Sequence, residues 1–447
     1  MTLRILLRLL TPSLLMLPLV IHAVQKDASE GGGEGSLRDT ALQRIGLEGQ
    51  DNENRLYRQA LAQLEERLRR YPADYEASLL KGLIQFRSGH LDKALAELQG
   101  LTEREPKFHL AHLIHGDLLQ VQSRVVSDIG AAPLMPALKP QQKELALLRE
   151  EAEARLHAYL DSLPQGRLPR ALLMMDEGIN TALLVDKSSH RLYVYERDLN
   201  GTPQLLRDFY VSTGKLKGNK RVSGDLRTPE GVYFITSHIP DEKLPDLYGI
   251  GAYPMNYPNE WDRKLGKTGY GIWLHGTENA SYSRPPQDSE GCVVLPNLDL
   301  DAVSHYLRPG VTPIVVTDRV QWLEQGEWLA LRNEVAAAVE AWRSDWSDGG
   351  VDAYLGHYSS DFWSKGYDAA SWARRKKAVA AGKRWQKVEL SALSLFAYPG
   401  VASDNREMVV ANFHQKYDSN NFQSDLDKRL YLVKEEGKWR VLYEGRQ

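Results

Sequence analysis

Tyr270-Gly271-Ile272-Trp273-Leu274-His275-Gly276-Thr277, followed by Ser289-Glu290-Gly291-Cys292-Val293-Val294, is the stretch on which the reading of this 447-residue chain turns. Cys292 is the only cysteine, and it stands 17 positions after His275. One thiol forms neither an internal disulfide nor a thiolate cluster. A lone cysteine behind a glycine, with a histidine close in sequence, is therefore a candidate nucleophile. The alternative is a small apolar core residue that happens to occur once. Gly291 can take the positive φ of a sharp turn that presents the next side chain outward. Successive N–H groups in such a turn, those of Gly291 and Cys292, are candidate oxyanion donors. A thiol with a pKa of about 8.5 needs a base at neutral pH. His275 fits that role, taking the thiol proton and returning it to a leaving amine.

Around this block, from Ala171 to about Asp318, the sequence period is two. Ala182–Val185 and Arg191–Tyr195 read as strands joined by a turn at Lys187–His190, and Arg207–Val211, Gly231–Ile235 and Thr312–Val316 read likewise. A further strand, Tyr270–Leu274, is expected to lead into His275, and Tyr253–Asn259, rich in Pro, Tyr and Asn, is expected to be loop. The segment 171–318 is thus a mostly-β domain with long loops.

Upstream, Arg4 and Arg8 precede an apolar run from Leu9 to Ile21, and Ala23 fits the last position before a cleavage site. This is the layout of a signal peptide over 1–23, too short and too proline-broken to span a bilayer comfortably; an uncleaved anchor is the alternative. Ser29–Ser36 is a Gly/Ser/Glu tract inside a flexible linker read over 24–51. From 52 to 165 the pattern is helical and repeats. Ala60-Leu61-Ala62-Gln63-Leu64 and Ala94-Leu95-Ala96-Glu97-Leu98 lie 34 apart, as do Pro72 and Pro106, Ala77 and Ala111, and Gly82 and Gly116. A 34-residue period of paired helices resembles the tetratricopeptide repeat. Pro133–Pro140 breaks the array before a last helix at Gln141–Leu163. Such a region is either a docking surface for a protein partner or a structural prop.

Downstream, over 330–447, a helix beginning near Asn333 and a second at Ser371–Ala381 precede strands at Val388–Phe396, Glu407–Tyr417, Lys428–Lys434 and Lys438–Tyr443. Helices laid on a curved antiparallel sheet make an α+β domain.

Composition supplies limits. The chain is 42% apolar and 26% charged, with a formal net charge of −3. These are globular values, and nothing in them favours nucleic acid, which needs a basic surface. After the signal, no segment reaches the roughly 18 uninterrupted apolar residues of a spanning helix. His109, His112 and His115 sit at helical spacing within the repeat and read as repeat residues, not metal ligands. No glycine loop for phosphate appears, so neither metal nor cofactor is expected.

The segment 171–318 resembles an L,D-transpeptidase catalytic domain of the YkuD type. The resemblance is carried by Thr228-Pro229-Glu230-Gly231, by Tyr270–Thr277 and by Ser289-Glu290-Gly291-Cys292. It implies Cys292 as nucleophile and His275 as its base. The Gly276 carbonyl would orient the imidazole, Gly291 would contribute to the oxyanion hole and Ser289 would frame the turn. Trp273, Tyr270, Thr277 and Arg284 are the candidate substrate-binding residues. The implied substrate is the peptidoglycan stem peptide, cleaved between the L-centre of residue three and D-alanine at position four. The C-terminal segment resembles an NTF2-like cone, on Val339-Glu340-Ala341-Trp342, Val351–Leu355 and Gly437-Lys438-Trp439-Arg440-Val441. The expected whole is multidomain: tetratricopeptide-like helices, a mostly-β catalytic domain and an α+β cone, working in the periplasm.

Two positions depart from the family pattern: Glu290, where histidine is more common, and Val294, where arginine is. Arg263, Lys264, Lys267 and Arg284 are loop cations that can substitute. Pairing such a domain with a cone resembles exported L,D-carboxypeptidases, in which water and not an amine resolves the acyl-enzyme. Transfer leads on the family name; the cone and the absent arginine favour hydrolysis. A non-catalytic cell-wall scaffold is the third reading. In the cone, Trp363, Tyr367 and Trp385 are candidate glycan contacts.

Overall fold

Leu98 comes within 3.0 Å of where a Cβ on Gly82 would stand, so a glycine is what lets two helices of the N-terminal unit cross closely. The computed structural model describes residues 47–121, 142–161, 166–348, 350–399 and 406–447. The signal segment, most of the linker and the Pro133–Pro140 break lie outside them. The described residues form two compact units, those up to Asp161 with 280–285 in one, and the remainder in the other.

The first unit contains α1 (Leu47–Arg70), α2 (Tyr75–Arg87), α3 (Leu91–Arg104), α4 (His109–Val121) and α5 (Gln142–Asp161). The helix therefore starts before the expected linker end at 51. Tyr75 and His109 open helices 34 positions apart, in step with the sequence period. Asp74 caps α2 by accepting from Ala77 N–H at 3.0 Å. Alanines and leucines at helical spacing, among them Leu79, Leu83, Ala94, Leu98, Ala111 and Ile114, form one core. Arg155 on α5 is fully buried, 2.8 Å from Glu151 and 3.0 Å from Glu76. Burial pushes Glu151 up to about 7 against the pull of Arg155.

The second unit begins with β1 (Arg167–Pro169), β2 (Leu172–Met174), β3 (Thr181–Asp186), β4 (Arg191–Arg197), β5 (Pro203–Tyr210), β6 (Thr213–Gly214), β7 (Gly231–Phe234), β8 (Ile239–Pro240) and β9 (Gly251–Pro254). Then come α6 (Glu260–Lys264), β10 (Trp273–His275), β11 (Gln287–Ser289), β12 (Val293–Val294), α7 (Asn297–Ser304), β13 (Pro313–Thr317) and β14 (Trp322–Glu324). The expected strand at 270–274 is confined to β10, because Gly269 and Gly271 sit at φ 98° and 73°, where an extended strand cannot continue. The expected loop at 253–259 begins as strand, for β9 pairs antiparallel with β10, Pro254 terminating it opposite Trp273. A five-stranded sheet in the order β5-β4-β3-β13-β7 backs a four-stranded one, β12-β10-β9-β8. Between them lies a core of Val185, Val194, Phe209, Leu274, Val293 and Val316.

The remainder is α8 (Gln325–Ser347), α9 (Val351–Leu355), β15 (Tyr358–Ser364), β16 (Tyr367–Asp368), α10 (Ala369–Ala381), β17 (Gln386–Ala397), β18 (Met408–Ser419), β19 (Phe422–Glu435) and β20 (Lys438–Arg446). The first helix starts at Gln325, eight residues before the expected Asn333, and at that start Glu327 accepts from Glu324 N–H at 3.3 Å. A register shift between Ser391 and Ser394, with Ala392 at φ 53°, bends the long strand β17 and curves the sheet. β2, expected to open the catalytic domain, instead adds the last strand to this sheet beside β17. Catalytic domain and cone share one core: Leu184, Tyr193, Val232 and Val315 pack with Phe396, Met408, Val410 and Tyr431. Buried Arg429 reaches Glu260 at 3.1 Å, and Tyr431 donates to the same carboxylate at 3.0 Å.

Candidate active site

β10 runs parallel to β12, with Leu274 opposite Val293 and His275 opposite Val294. Cys292 immediately precedes β12, so the register extended by one residue puts it beside Trp273, on the same face as His275. His275 is 3% exposed, whereas Cys292 is half-exposed. The imidazole Nδ1 is 2.6 Å from the Gly276 carbonyl oxygen. A carbonyl only accepts, so Nδ1 carries the proton and Nε2 is left as the basic nitrogen. The Cys292 thiol donates to Gly271 O at 3.5 Å.

The turn before the cysteine is built from its own residues. Ser289 Oγ donates to Cys292 O at 2.7 Å and accepts from Gly291 N–H at 3.1 Å. The Gly291 N–H, expected as an oxyanion donor, is directed at Ser289 Oγ within the turn. Gly291 is needed for shape, since φ is 129° and a Cβ there would lie 2.7 Å from Arg227 O. Val294, at the family's arginine position, is buried and bonded both ways to the Ser212 backbone at 2.9 Å.

A residue without a sequence signal completes the wall. Tyr248, in a single 3₁₀ turn at Asp246–Tyr248, places its ring 5.0 Å from both His275 and Trp273. Burial and then the nearby Cys292 raise its phenol above the ordinary range, so it stays protonated. Asn297 ties the surrounding loops, its Oδ1 accepting from Thr277 N–H at 3.1 Å and its Nδ2 donating to Asn279 at 3.0 Å.

Residues 180–316 match the L,D-transpeptidase catalytic domain, YkuD, and residues 334–445 match the Cds6 C-terminal NTF2-like domain. The chain carries a YkuD catalytic domain followed by an NTF2-like domain. Among solved structures it is similar to Bd1075 of Bdellovibrio bacteriovorus, 29% identical with a TM-score of 0.55 over 63% of this chain and 98% of that one. Its fold is also that of the helical cell shape determining protein Pgp2 of Campylobacter jejuni, 24% identical with a TM-score of 0.53, over 62% of this chain and 95% of that one. No curated protein sequence matches.

Within the YkuD domain, the expected substrate contacts divide. Trp273 stands beside Tyr248 at the site, and Tyr270 is 89% exposed on the loop before β10. Thr277 is buried, and its backbone, not its side chain, makes the bond to Asn297. Arg284 belongs to the helical unit, where it is buried and its N–H bonds Glu151. Of the other loop cations, Lys267 pairs with buried Asp262 at 2.8 Å and Lys264 lies 5.5 Å over the Trp363 ring.

The NTF2-like domain encloses a cavity of about 670 Å³ lined by Trp346, Tyr354, Trp372, Lys376, Lys428 and Glu444 among others. Tyr367 lines it, but Trp363 instead faces a groove shared with Lys264, and Trp385 is 51% exposed outside it. Lys376 Nζ lies 4.5 Å from the Trp372 ring and 4.6 Å from that of Trp346, and burial lowers this lysine to about 8. Burial alone would raise Glu444, but Lys428 and Lys376 beside it hold it at about 2. A folded pKa below the unfolded 4.5 means stability that is complete above pH 4.5 and lost as pH falls towards 2, about 3 kcal/mol in all. Thermal melts of Glu444→Gln should therefore start lower than wild type at pH 7, with two lysines left uncompensated, and fall less between pH 4.5 and 2.5. Parallel curves would contradict this.

Proposed function

We propose that this chain is an exported cysteine enzyme that opens the L,D-peptide bond of peptidoglycan tetrapeptide stems through a Cys292 thioester. The observation carrying the proposal is the Nδ1 bond from His275 to Gly276 O on the strand beside Cys292. It supports Nε2 as the base toward the cysteine's face of the sheet. Nε2 takes the thiol proton, and Sγ attacks the carbonyl carbon of residue three. The Cys292 N–H is the donor proposed for the oxyanion. Collapse breaks the C–N bond, His275 gives its proton to the nitrogen, and D-alanine leaves. Water, deprotonated by the same nitrogen, then attacks the thioester, releasing a tripeptide carboxylate and regenerating the thiol.

Water as acceptor is supported by the pairing of the YkuD and NTF2-like domains and by buried Val294 in place of a basic residue. Transfer to an amine is the second reading, supported by the name and membership of the catalytic domain. The cone cavity, with its aromatic rings and lysines, suits a sugar bearing a carboxylate. No helix among the described residues is long and apolar enough to cross a membrane; export through residues 1–23 and residence in the periplasm belong to the proposal.

The test is mass spectrometry of muropeptides after incubation of the protein with tetrapeptide-containing sacculi. Tripeptide with free D-alanine identifies hydrolysis, and new 3–3 cross-links or exchanged terminal D-amino acids identify transfer. Cys292→Ala should leave the muropeptides unchanged. Restoration of normal shape in a null mutant by Cys292→Ala would instead point to a scaffold.

A further inference from the structure

Between the two catalytic motifs the chain leaves its own unit. It departs after Asn279, contributes 280–285 to the helical unit, and re-enters at Pro286. Tyr282 is the anchor, 4% exposed and part of the same core as Leu79, Leu98 and Ile114. Its ring lies 4.5 Å from that of Phe108 and 5.8 Å from that of Tyr75, with the buried Arg155 guanidinium 5.9 Å away. The backbone is held as well: Tyr282 N–H donates to Lys107 O at 3.0 Å, and Leu110 N–H donates to Ser283 Oγ at 2.9 Å. An aromatic side chain this enclosed, with its neighbours' backbone groups satisfied, is a fixed point and not a loop at rest on a surface.

Both ends of the hexapeptide lead straight to catalytic groups. On one side Asn279 Nδ2 donates to Asp246 at 2.7 Å, and Asp246 opens the 3₁₀ turn whose Tyr248 ring meets His275. Beyond the other end Pro286 O accepts from Thr213 N–H at 3.0 Å, and β11 pairs with β6 up to Ser289, the residue that builds the Cys292 turn. An extended chain reaches at most about 3.5 Å per residue, so fixing Tyr282 confines Asn279 to within roughly 10 Å of it and Pro286 to within roughly 14 Å.

We propose that Tyr282 is a positioning residue for the Cys292–His275 pair, and that the occupant of the helical unit is this chain's own hexapeptide. The inference rests on the reading of those two residues as a working pair. The helical region is then neither a spare docking face nor a passive prop. It holds, through Tyr282, the loop that joins base to nucleophile.

The experiment is the pH dependence of Cys292 alkylation by iodoacetamide in the full chain, with D-alanine release measured alongside. Tyr282→Ala should move the thiolate midpoint upward towards the free-thiol value of about 8.5 and lower kcat by about tenfold. Tyr282→Phe, which keeps the ring, should stay within about twofold of wild type. Leu64→Ala, in a separate core of the helical unit, should lower the melting temperature without moving the midpoint. If Tyr282→Ala melts below assay temperature, Ser283→Ala should give a smaller shift in the same direction. A wild-type midpoint in the tested anchor variant, while His275→Ala shifts it, overturns the anchor and leaves the catalytic pair standing. A midpoint that His275→Ala fails to move overturns the pair, and the anchor with it.

Discussion

Replacing His275 by alanine lowers D-alanine release by about 10² to 10⁴-fold, the span general acid–base catalysis supplies. The expectation follows from the ring's placement. Nδ1 is committed to Gly276 O at 2.6 Å, so the proposed proton transfer falls to Nε2. The half-exposed thiol has no second histidine in the motif to replace it, position 290 being glutamate. Rates should be followed with tetrapeptide muropeptides across pH 5 to 9. The low-pH limb, which reports protonation of the base, should disappear in the variant. Activity within tenfold of wild type would remove His275 from the mechanism.

The second large effect comes from a residue with no side chain. Gly291→Ala should reduce activity by about 10²-fold, because moving a nucleophile by about 1 Å is enough to lose that much. Gly291 sits at φ 129°, and the new Cβ would stand 2.7 Å from Arg227 O and 3.1 Å from the Ile272 side chain. Backbone does not yield as a flexible side chain does, so the turn must shift and carry Cys292 with it. The strain also costs on the order of 1–3 kcal/mol, which a thermal melt reads. An active, equally stable Gly291→Ala protein would mean that the turn is adaptable.

Much of the molecule was legible beforehand. The short runs Ala182–Val185 and Arg191–Tyr195, with turn residues between, mark β3 and β4, because a buried strand reads as a brief, mostly apolar run bounded by turn signals. The 34-residue spacing read in the sequence recurs between the starts of α2 and α4, Tyr75 and His109. Other features escaped for identifiable reasons. The strand before His275 is shorter than its apolar pattern suggests, because a glycine with positive φ at 271 looks, in sequence, like any small residue. That β2 pairs with β17 has no signal in the sequence, since a three-residue apolar strand carries no record of its partner. Tyr248 left no trace at all, being one aromatic in a proline-flanked loop. Gly291 is legible as the turn glycine, whereas the bond from its N–H to Ser289 Oγ is visible only in the structure.

By itself the sequence determined the local chemistry: one thiol, a histidine 17 residues before it, a glycine where the turn needs one, and the periods that sort helix from strand. These are properties of neighbours along the chain, where spacing and residue type act directly. Only the tertiary structure decided which nitrogen of His275 bonds Gly276 O, that Val294 is locked into a strand, and that Arg284 sits in the helical unit and Tyr282 anchors there. Each depends on contacts between residues far apart in the chain, such as Tyr282 with Phe108, 174 positions away. Such contacts form because burying an aromatic ring is favourable wherever a matching cavity lies, and no period in the sequence says where that is.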